Sequence, residues 1–257
     1  MCNPFRVGRC IACVTGGGAP LLRNLALPPA MRFNPFRVVG GLMGDQGTTI
    51  LFTVGHSNHE CEKFLDLLSR HGITAVADVR SQPYSQYTPQ FNRETLESAL
   101  GRRRIKYVFM GKELGARREE RECYVAGKAR YDLIKGLPAF LQGLERLRRG
   151  MKTQRIALMC SEKDPLTCHR TILICRQLRG GEADGAKIEI QHILEDGALE
   201  SQAAAETRLL ALMGLPEEDL FHDRAELVER AYDQQGEAIA YVDPPPQPAA
   251  AGQKAVP

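Results

Sequence analysis

The residues with the clearest capacity for chemistry lie in one short stretch, residues 160–170, which reads CSEKDPLTCHR. Two thiols, a carboxylate, an imidazole and a guanidinium come from Cys160, Glu162, Cys168, His169 and Arg170. Enzymes use these groups as nucleophiles, as acids and bases, and as ligands for anions. The stretch therefore predicts a reactive site.

This stretch is predicted to lie between a strand and a helix. Residues 156–159 form a short apolar run typical of a buried strand, and residues 171–178, followed by two glycines, are typical of a helix. Thr167 is the expected N-cap, which would place residues 168–170 in the first helical turn. The free N–H groups and the dipole there would stabilise a thiolate and an anion. We therefore expect Cys168 or Cys160 to be catalytic, and His169 and Arg170 to bind substrate.

Further polar groups follow two other predicted strands. Residues 49–54 lead into Gly55-His56-Ser57, and residues 75–79 lead into Arg80. Because the carboxyl ends of parallel strands meet at one edge of a sheet, these groups should converge with residues 160–170. His56 and Glu162 are then candidate catalytic acids or bases, and Ser57, Asp78 and Arg80 are candidate substrate ligands. Asp78 and Arg80 fit a structural ion pair equally well.

The elements that would position these groups alternate along the chain. Strands are predicted at 49–54, 75–79, 106–110, 156–159 and 188–194, and helices at 60–71, 92–103, 138–148 and 171–178. This alternation predicts an α/β fold with a largely parallel β-sheet flanked by helices. Amphipathic segments near 203–213 and 224–234 predict a C-terminal helical extension.

Composition divides the chain into four parts. Residues 1–44 contain no acidic residue, and NPFRV occurs there twice, at 3–7 and 34–38. We predict a non-core extension over 1–47 and an α/β core over 48–200. The extension fits an Arg-containing targeting peptide, a disordered arm or, as we favour, sequence upstream of a true start at Met31 or Met43. The helical extension is predicted over 201–242, and a disordered tail rich in Pro and Ala over 243–257. Cys10 and Cys13 have C-x-x-C spacing without a second pair, so we interpret this spacing as chance.

Composition also bears on the cellular setting. The 257 residues include 8 cysteines, are 43% hydrophobic and carry a net charge of +3. No apolar run is long enough for a membrane helix, and the irregular cysteine spacing is not that of a disulfide framework. We expect a cytoplasmic protein with free thiols and no membrane partner. The sequence identifies no cofactor and no oligomeric state.

The charges are distributed unevenly. Lys and Arg predominate in residues 101–155, whereas Asp and Glu predominate in residues 182–243. The basic segment predicts either phosphate contacts with a nucleic acid or, as we favour, helix faces whose charges are paired with acids.

Several motifs in this order resemble an uncharacterised family, domain of unknown function 488. The resemblance rests on 53–57 (TVGHS), 77–80 (ADVR), 89–92 (PQFN), 160–162 (CSE) and 168–170 (CHR), and it extends over roughly residues 49–242. It implies a fold and a shared site, without an established reaction. Residues 121–128 depart from the family pattern, so Cys123 is left out of the predicted site.

These observations favour an enzyme that binds an anionic substrate at the strand ends. The substrate would be a small phosphate-bearing molecule, such as a nucleotide, or else a nucleic acid. Two alternatives belong to other classes. One is a metal-binding protein that uses Cys160, Cys168 and one of His169, His56 or His192, although the spacing of the thiols is not that of a zinc finger. The other is a non-catalytic nucleic-acid-binding module.

Overall fold

A computed structural model describes residues 47–243 and confirms a mixed α/β fold whose main sheet is mostly parallel. The main-sheet strands are β1 (Thr48–Gly55), β2 (Ala75–Asp78), β3 (Lys106–Phe109), β6 (Ile156–Cys160), β7 (Glu182–Ala183), β8 (Ala186–Ile193) and β9 (Leu199–Ser201). A separate hairpin is formed by β4 (Tyr124–Val125) and β5 (Lys128–Ala129). Each main strand predicted from the sequence is present, with ends shifted by at most about two residues, which is the usual uncertainty of such boundaries.

The order of strands in the main sheet is β3-β2-β6-β1-β8-β7, and β9 also pairs with β8. The pairs β3·β2, β2·β6, β6·β1 and β1·β8 are parallel, whereas β7 and β9 run antiparallel to β8. The three central strands, β2, β6 and β1, therefore present their carboxyl ends side by side at one edge of the sheet.

Eight α-helices connect or flank these strands in the described part of the chain. They are α1 (Cys61–Arg70), α2 (Arg93–Arg102), α3 (Gly111–Leu114), α4 (Tyr131–Ile134), α5 (Pro138–Met151), α6 (Arg176–Leu178), α7 (Gln202–Leu212) and α8 (Arg224–Ile239). The predicted helix after β6 is irregular: a 3-10 turn covers Pro165–Thr167, and a π-helix covers Arg170–Cys175 before α6. The π-helix is a departure from the expected regular helix.

Alternation along the strands creates two apolar cores, one on each face of the sheet. In β6, Ile156, Leu158 and Cys160 belong to one core, while Ala157 and Met159 belong to the other. Successive side chains of a strand point to opposite faces, which explains this division. The first core contains α5, α7 and α8, and the second contains α1 and α2.

The two helices of the predicted C-terminal extension pack on the first core. Leu209 and Leu210 of α7 and Leu227 and Tyr232 of α8 are each at most 1% exposed. Arg176 and Arg179 also form ion pairs with Glu229 of α8. An N-terminal capping box at Asp223 and Glu226 begins α8.

The shortest elements of the fold were not predicted from the sequence. The hairpin β4–β5 has two residues in each strand, which is too few for an alternating pattern. Helices α3 and α4 have four residues each, shorter than the window over which helical periodicity can be recognised.

The predicted N-terminal extension, apart from residue 47, and the predicted tail beyond residue 243 lie outside the described residues. Within residues 47–243, every helix is too short or too polar to cross a membrane.

Candidate functional site

The site is built where β1, β2 and β6 end next to one another. His56 follows from the end of β1, Arg80 lies just beyond β2, and Cys160 is the last residue of β6. The pairing of β1 with β6 continues past both strands: His56 N–H donates to the Cys160 carbonyl and Ser57 N–H to the Ser161 carbonyl, each at 2.9 Å. The convergence expected from the sequence is therefore present, and backbone hydrogen bonds hold it.

A glycine allows the segment after β6 to lie against β1. A Cβ atom on Gly55 would lie 1.9 Å from the Glu162 carbonyl oxygen, a distance that atoms cannot reach. Gly55 is paired with Cys160 in the sheet, so the absence of a side chain lets the backbone after Cys160 fold over the end of β1. This contact places Glu162 beside the strand ends.

One group of polar side chains, the Asp78 cluster, consists of Asp78, Arg80, His56 and Tyr107. Arg80 Nε donates to Asp78 Oδ1 at 2.9 Å, and Arg80 Nη2 donates to Asp78 Oδ2 at 2.6 Å. Arg80 Nη2 also donates to the Phe91 carbonyl, and Tyr107 Oη donates to Asp78 Oδ2 at 2.8 Å. Asp78 is 0% exposed and Arg80 5%, so this is a buried, bidentate ion pair with additional donors.

His56 contacts Nη1, the third guanidinium nitrogen of Arg80. Arg80 Nη1 lies 3.2 Å from His56 Nε2, and His56 Nδ1 lies 2.8 Å from the Ser57 carbonyl. Because a guanidinium only donates and a carbonyl only accepts, Nε2 is the acceptor and Nδ1 carries the proton. Burial, together with the charge of Arg80, lowers the pKa of His56 to about 4. Both ring nitrogens of His56 are thus engaged in hydrogen bonds, and its role as a catalytic acid or base stays a prediction.

A second group, the thiol cluster, consists of Cys160, Glu162, Cys168 and His169. Both sulfurs contact one carboxylate oxygen: Cys160 Sγ lies 2.9 Å and Cys168 Sγ 3.0 Å from Glu162 Oε2. His169 Nδ1 lies 3.7 Å from Cys160 Sγ and 3.9 Å from Cys168 Sγ. His169 Nε2 is 3.0 Å from the Val79 carbonyl, which fixes the proton on Nε2 and turns Nδ1 towards the sulfurs.

The start of the helix after β6 differs from the prediction. Thr167 does not cap this helix: it ends the preceding 3-10 turn, and its hydroxyl donates to the Asp164 carbonyl. Cys168 has an extended backbone, and its carbonyl accepts the N–H of Ile172. Its sulfur accepts the N–H of Arg170 at 3.4 Å, so Cys168 itself takes the capping role expected of Thr167.

Arg170 also lies elsewhere than expected. The side chain is 1% exposed, and its guanidinium donates to the carbonyls of Glu162 and Lys163. Within residues 47–243, Arg170 Nε and Thr171 Oγ1 are the buried side-chain polar atoms without a hydrogen-bond partner. Arg170 thus supports the 160–170 loop from beneath, and its role in substrate binding stays a prediction.

The electrostatics of the thiol cluster separate the two sulfurs. The hydrogen bond to Cys168, together with burial, raises the pKa of the Cys160 thiol well above its usual range. Burial alone would also raise the pKa of Cys168, but the bond from Cys160 and the charge of Arg170 outweigh it and hold that pKa well below its usual range. Burial and the neighbouring Cys168 raise the pKa of Glu162.

A cavity of about 450 Å³ opens at these strand ends. The predicted site residues that line it are His56, Ser57, Arg80, Cys160, Glu162 and His169. Three other predicted residues lie behind this wall: Asp78 beneath Arg80, and Cys168 and Arg170 beneath the loop.

The cavity wall also includes residues that sequence reasoning did not select, among them Arg117, Tyr131 and Tyr241. The Arg117 guanidinium lies 4.5 Å from the centre of the Tyr241 ring, a cation–π contact at the wall. Tyr131 is 9% exposed, and burial raises the pKa of its phenol. Arg117 belongs to the basic segment noted in the sequence, but nothing in its spacing distinguished it from neighbouring arginines.

Many charges of the basic segment are paired locally. Arg103 pairs with Glu62, Arg118 with Glu120, and Arg146 with Glu113. Lys128 and Arg130 pair with Glu237 of α8, at the acidic end of the chain. These ion pairs neutralise part of the positive charge of the basic segment.

Fold and site together describe an α/β protein with buried thiols at the carboxyl edge of a mostly parallel sheet. Residues 60–176 match the family model described as "Domain of unknown function DUF488". The family resemblance predicted from the sequence is thereby confirmed over this segment, which contains most of both clusters. Searches of curated proteins and of solved structures found no match to the chain.

Proposed function

We propose that the protein is an enzyme that binds an anionic, phosphate-bearing substrate in the cavity at the strand ends. The observation that carries the proposal is the combination, in one cavity wall, of cations with titratable groups that their surroundings perturb. Such combinations are typical of active sites.

The anion would be held by Arg80, Arg117 and Ser57. Arg80 has five N–H groups, of which three bind Asp78 and Phe91 and one binds His56, so one N–H on Nη1 remains for a ligand. Arg117 is exposed at the same wall and adds a second positive charge. The Asp78 cluster then acts as a rigid support that orients Arg80.

The chemistry would be carried by the thiol cluster. Cys160, Glu162 and His169 line the cavity, and burial raises the pKa of Glu162, which suits a carboxyl group that gives and takes protons. Cys168 lies behind them and supplies negative charge to the same group.

Binding is the first test. Isothermal titration with inorganic phosphate and with nucleoside monophosphates should give weaker binding in Arg117→Ala by at least about tenfold, the effect of one charge-assisted contact. The matched control is Arg149→Ala, which removes an exposed arginine of α5 outside the cavity wall. Absence of anion binding, or equal effects of the two substitutions, would contradict the proposal.

Turnover is the second test. The ligands that bind are incubated with the protein, and products are identified by mass spectrometry. Glu162→Gln should abolish product formation while leaving phosphate binding within about twofold, since the glutamine keeps the shape but cannot exchange the proton. Retained turnover in Glu162→Gln would exclude a catalytic role for this carboxyl.

We also propose a cytoplasmic location. The support is that Cys61, Cys123, Cys160, Cys168 and Cys175 are all free thiols. Unpaired thiols persist where the surroundings are reducing.

A further inference from the structure

We propose that Cys160, Cys168 and His169 bind a divalent ion of the zinc class. One ligand atom from each, the two sulfurs and Nδ1, all lie within 4.8 Å of one another. This proposal adds a resident ion to the proposed active site, but it stands on the geometry of the three ligands and does not require the proposed substrate.

The distances fit a metal better than they fit hydrogen bonds. Zinc lies about 2.3 Å from sulfur and about 2.0–2.1 Å from nitrogen, so tetrahedral ligation separates the two ligand atoms by about 3.6 Å. His169 Nδ1 lies 3.7 Å from Cys160 Sγ and 3.9 Å from Cys168 Sγ. Among residues 47–243, no hydrogen-bond partner lies closer to Nδ1, and these separations are close to those between two ligands of one ion.

The groups around the three ligands are those that metal sites use. His169 Nε2 bonds to the Val79 carbonyl, which fixes the tautomer that leaves Nδ1 free to ligate. The backbone N–H of Arg170 points to Cys168 Sγ, a contact that also stabilises a metal-bound thiolate. The other candidate histidines are engaged elsewhere: His56 with Arg80 and Ser57, and His192 with Thr53 and Gln202.

Ligand chemistry and burial decide the class of ion. Two thiolates and an imidazole favour zinc and similar borderline-soft ions over Mg²⁺ or Ca²⁺, which prefer oxygen. Three protein ligands are also the number found in catalytic zinc sites, where water or substrate takes the fourth position. Cys160 and His169 line the cavity, so that position would be reached from the cavity. The ion would there polarise a bound oxygen beside Glu162.

The test is the metal content of the full-length, untagged, reduced protein, measured by inorganic mass spectrometry after loading with Zn²⁺ and removal of the excess. Wild-type protein should retain about one equivalent, and Cys160→Ala, Cys168→Ala and His169→Ala should each retain only a trace. Cys175→Ala is the matched control. Cys175 is buried in the π-helix that follows His169, and it is not one of the proposed ligands. A double Cys10→Ala, Cys13→Ala variant controls for the C-x-x-C pair and should keep the ion.

Cobalt gives a readout that does not depend on the folding of variants. Co²⁺ added to the wild-type protein should produce thiolate-to-metal charge-transfer absorption and the intense visible bands of tetrahedral coordination. The proposal is overturned if the reduced wild-type protein retains neither ion. It is also overturned if Cys168→Ala keeps the ion, or if the Cys10/Cys13 variant loses it.

Phosphate titrations on the same samples separate this proposal from the proposed function. If phosphate binds in a way that depends on Arg117 but no metal is retained, the proposed metal site alone is overturned. Metal retention without binding of phosphate or nucleotides would leave the ion established and overturn the proposed anion site.

Discussion

Two polar groups lie at the same edge of the sheet, yet they are completed to different degrees. In the Asp78 cluster, both carboxylate oxygens of Asp78 and all three guanidinium nitrogens of Arg80 have partners within 3.2 Å, and a single N–H on Arg80 Nη1 remains for a ligand. In the thiol cluster, two sulfurs share one carboxylate oxygen, and an imidazole nitrogen faces them at 3.7 and 3.9 Å. Beneath them, Arg170 Nε has no hydrogen-bond partner in the described part of the chain. Completed polar groups stabilise a structure, whereas incomplete ones have capacity left for a ligand.

A substitution in the Asp78 cluster, the completed group, should have the largest effect on the free energy of unfolding. Asp78→Asn leaves the Arg80 charge buried without its counterion, so the free energy of unfolding should fall by about 3–5 kcal/mol. Urea denaturation followed by circular dichroism measures this change. The control is Asp132→Asn, which breaks the half-exposed pair with Arg130 and should cost at most about 1 kcal/mol. Equal losses would mean that the Asp78 cluster is not the rigid support described here.

In the thiol cluster, the incomplete group, metal binding should change the free energy of unfolding more than a substitution does. With a chelator present, Cys160→Ala should cost about 1 kcal/mol, because it deletes one buried sulfur atom while Arg170 and His169 remain as partners of Cys168. With free Zn²⁺ at about 100 times its dissociation constant, the wild-type protein should gain about 2.7 kcal/mol and the variant should gain none. Denaturation curves of both proteins with and without Zn²⁺ give the four values. An equal gain in both proteins would place the ion elsewhere.

A third buried histidine sharpens the contrast between completed and incomplete groups. His192 is 0% exposed, bonded to Thr53 at 2.8 Å and Gln202 at 3.0 Å, and burial lowers its pKa from 6.5 to about 3. Between these values the unfolded chain binds a proton that the folded protein does not, so stability must fall as the pH falls below about 6.5.

The His192 contribution can be isolated by substitution. From about pH 7.5 to about pH 5, wild-type protein should lose about 2 kcal/mol more free energy of unfolding than His192→Gln loses. His56 titrates in the same direction in both proteins, so its contribution cancels in the comparison. Parallel losses in the two proteins would show that His192 is not held neutral.

The sequence predicted the fold and the place of the site better than the roles of the residues. Strand ends such as His56, Arg80 and Cys160 could be assigned because apolar runs mark buried strands and parallel strands end at a common edge. The metal alternative included the three ligands that we now propose, but sequence spacing could not choose His169 over His56 or His192. That choice depends on which nitrogen is free, and hydrogen bonds to distant residues such as Val79 determine it.

Roles that depend on how deeply a side chain is buried could not be predicted from the sequence. Arg170 and Cys168 were expected at the surface of the site because both belong to a reactive motif, yet each is only 1% exposed. The 3-10 turn and the π-helix decide which side chains face the cavity, and neither has a periodic signature in so short a segment. Arg117 and Tyr241 meet only through the tertiary fold.

The π-helix at Arg170–Cys175 has a further consequence for how this segment tolerates change. A π-helix contains one residue more per turn than an α-helix would need, so deleting one of its residues would leave a more regular helix. The widened turn takes up this extra residue between the two ends of the segment. At one end His169 faces the sheet edge through the Val79 carbonyl, and at the other Arg176 reaches Glu229 of α8. The irregular turn thus works as a spacer that sets the angle between the reactive end of the helix and the end anchored to α8.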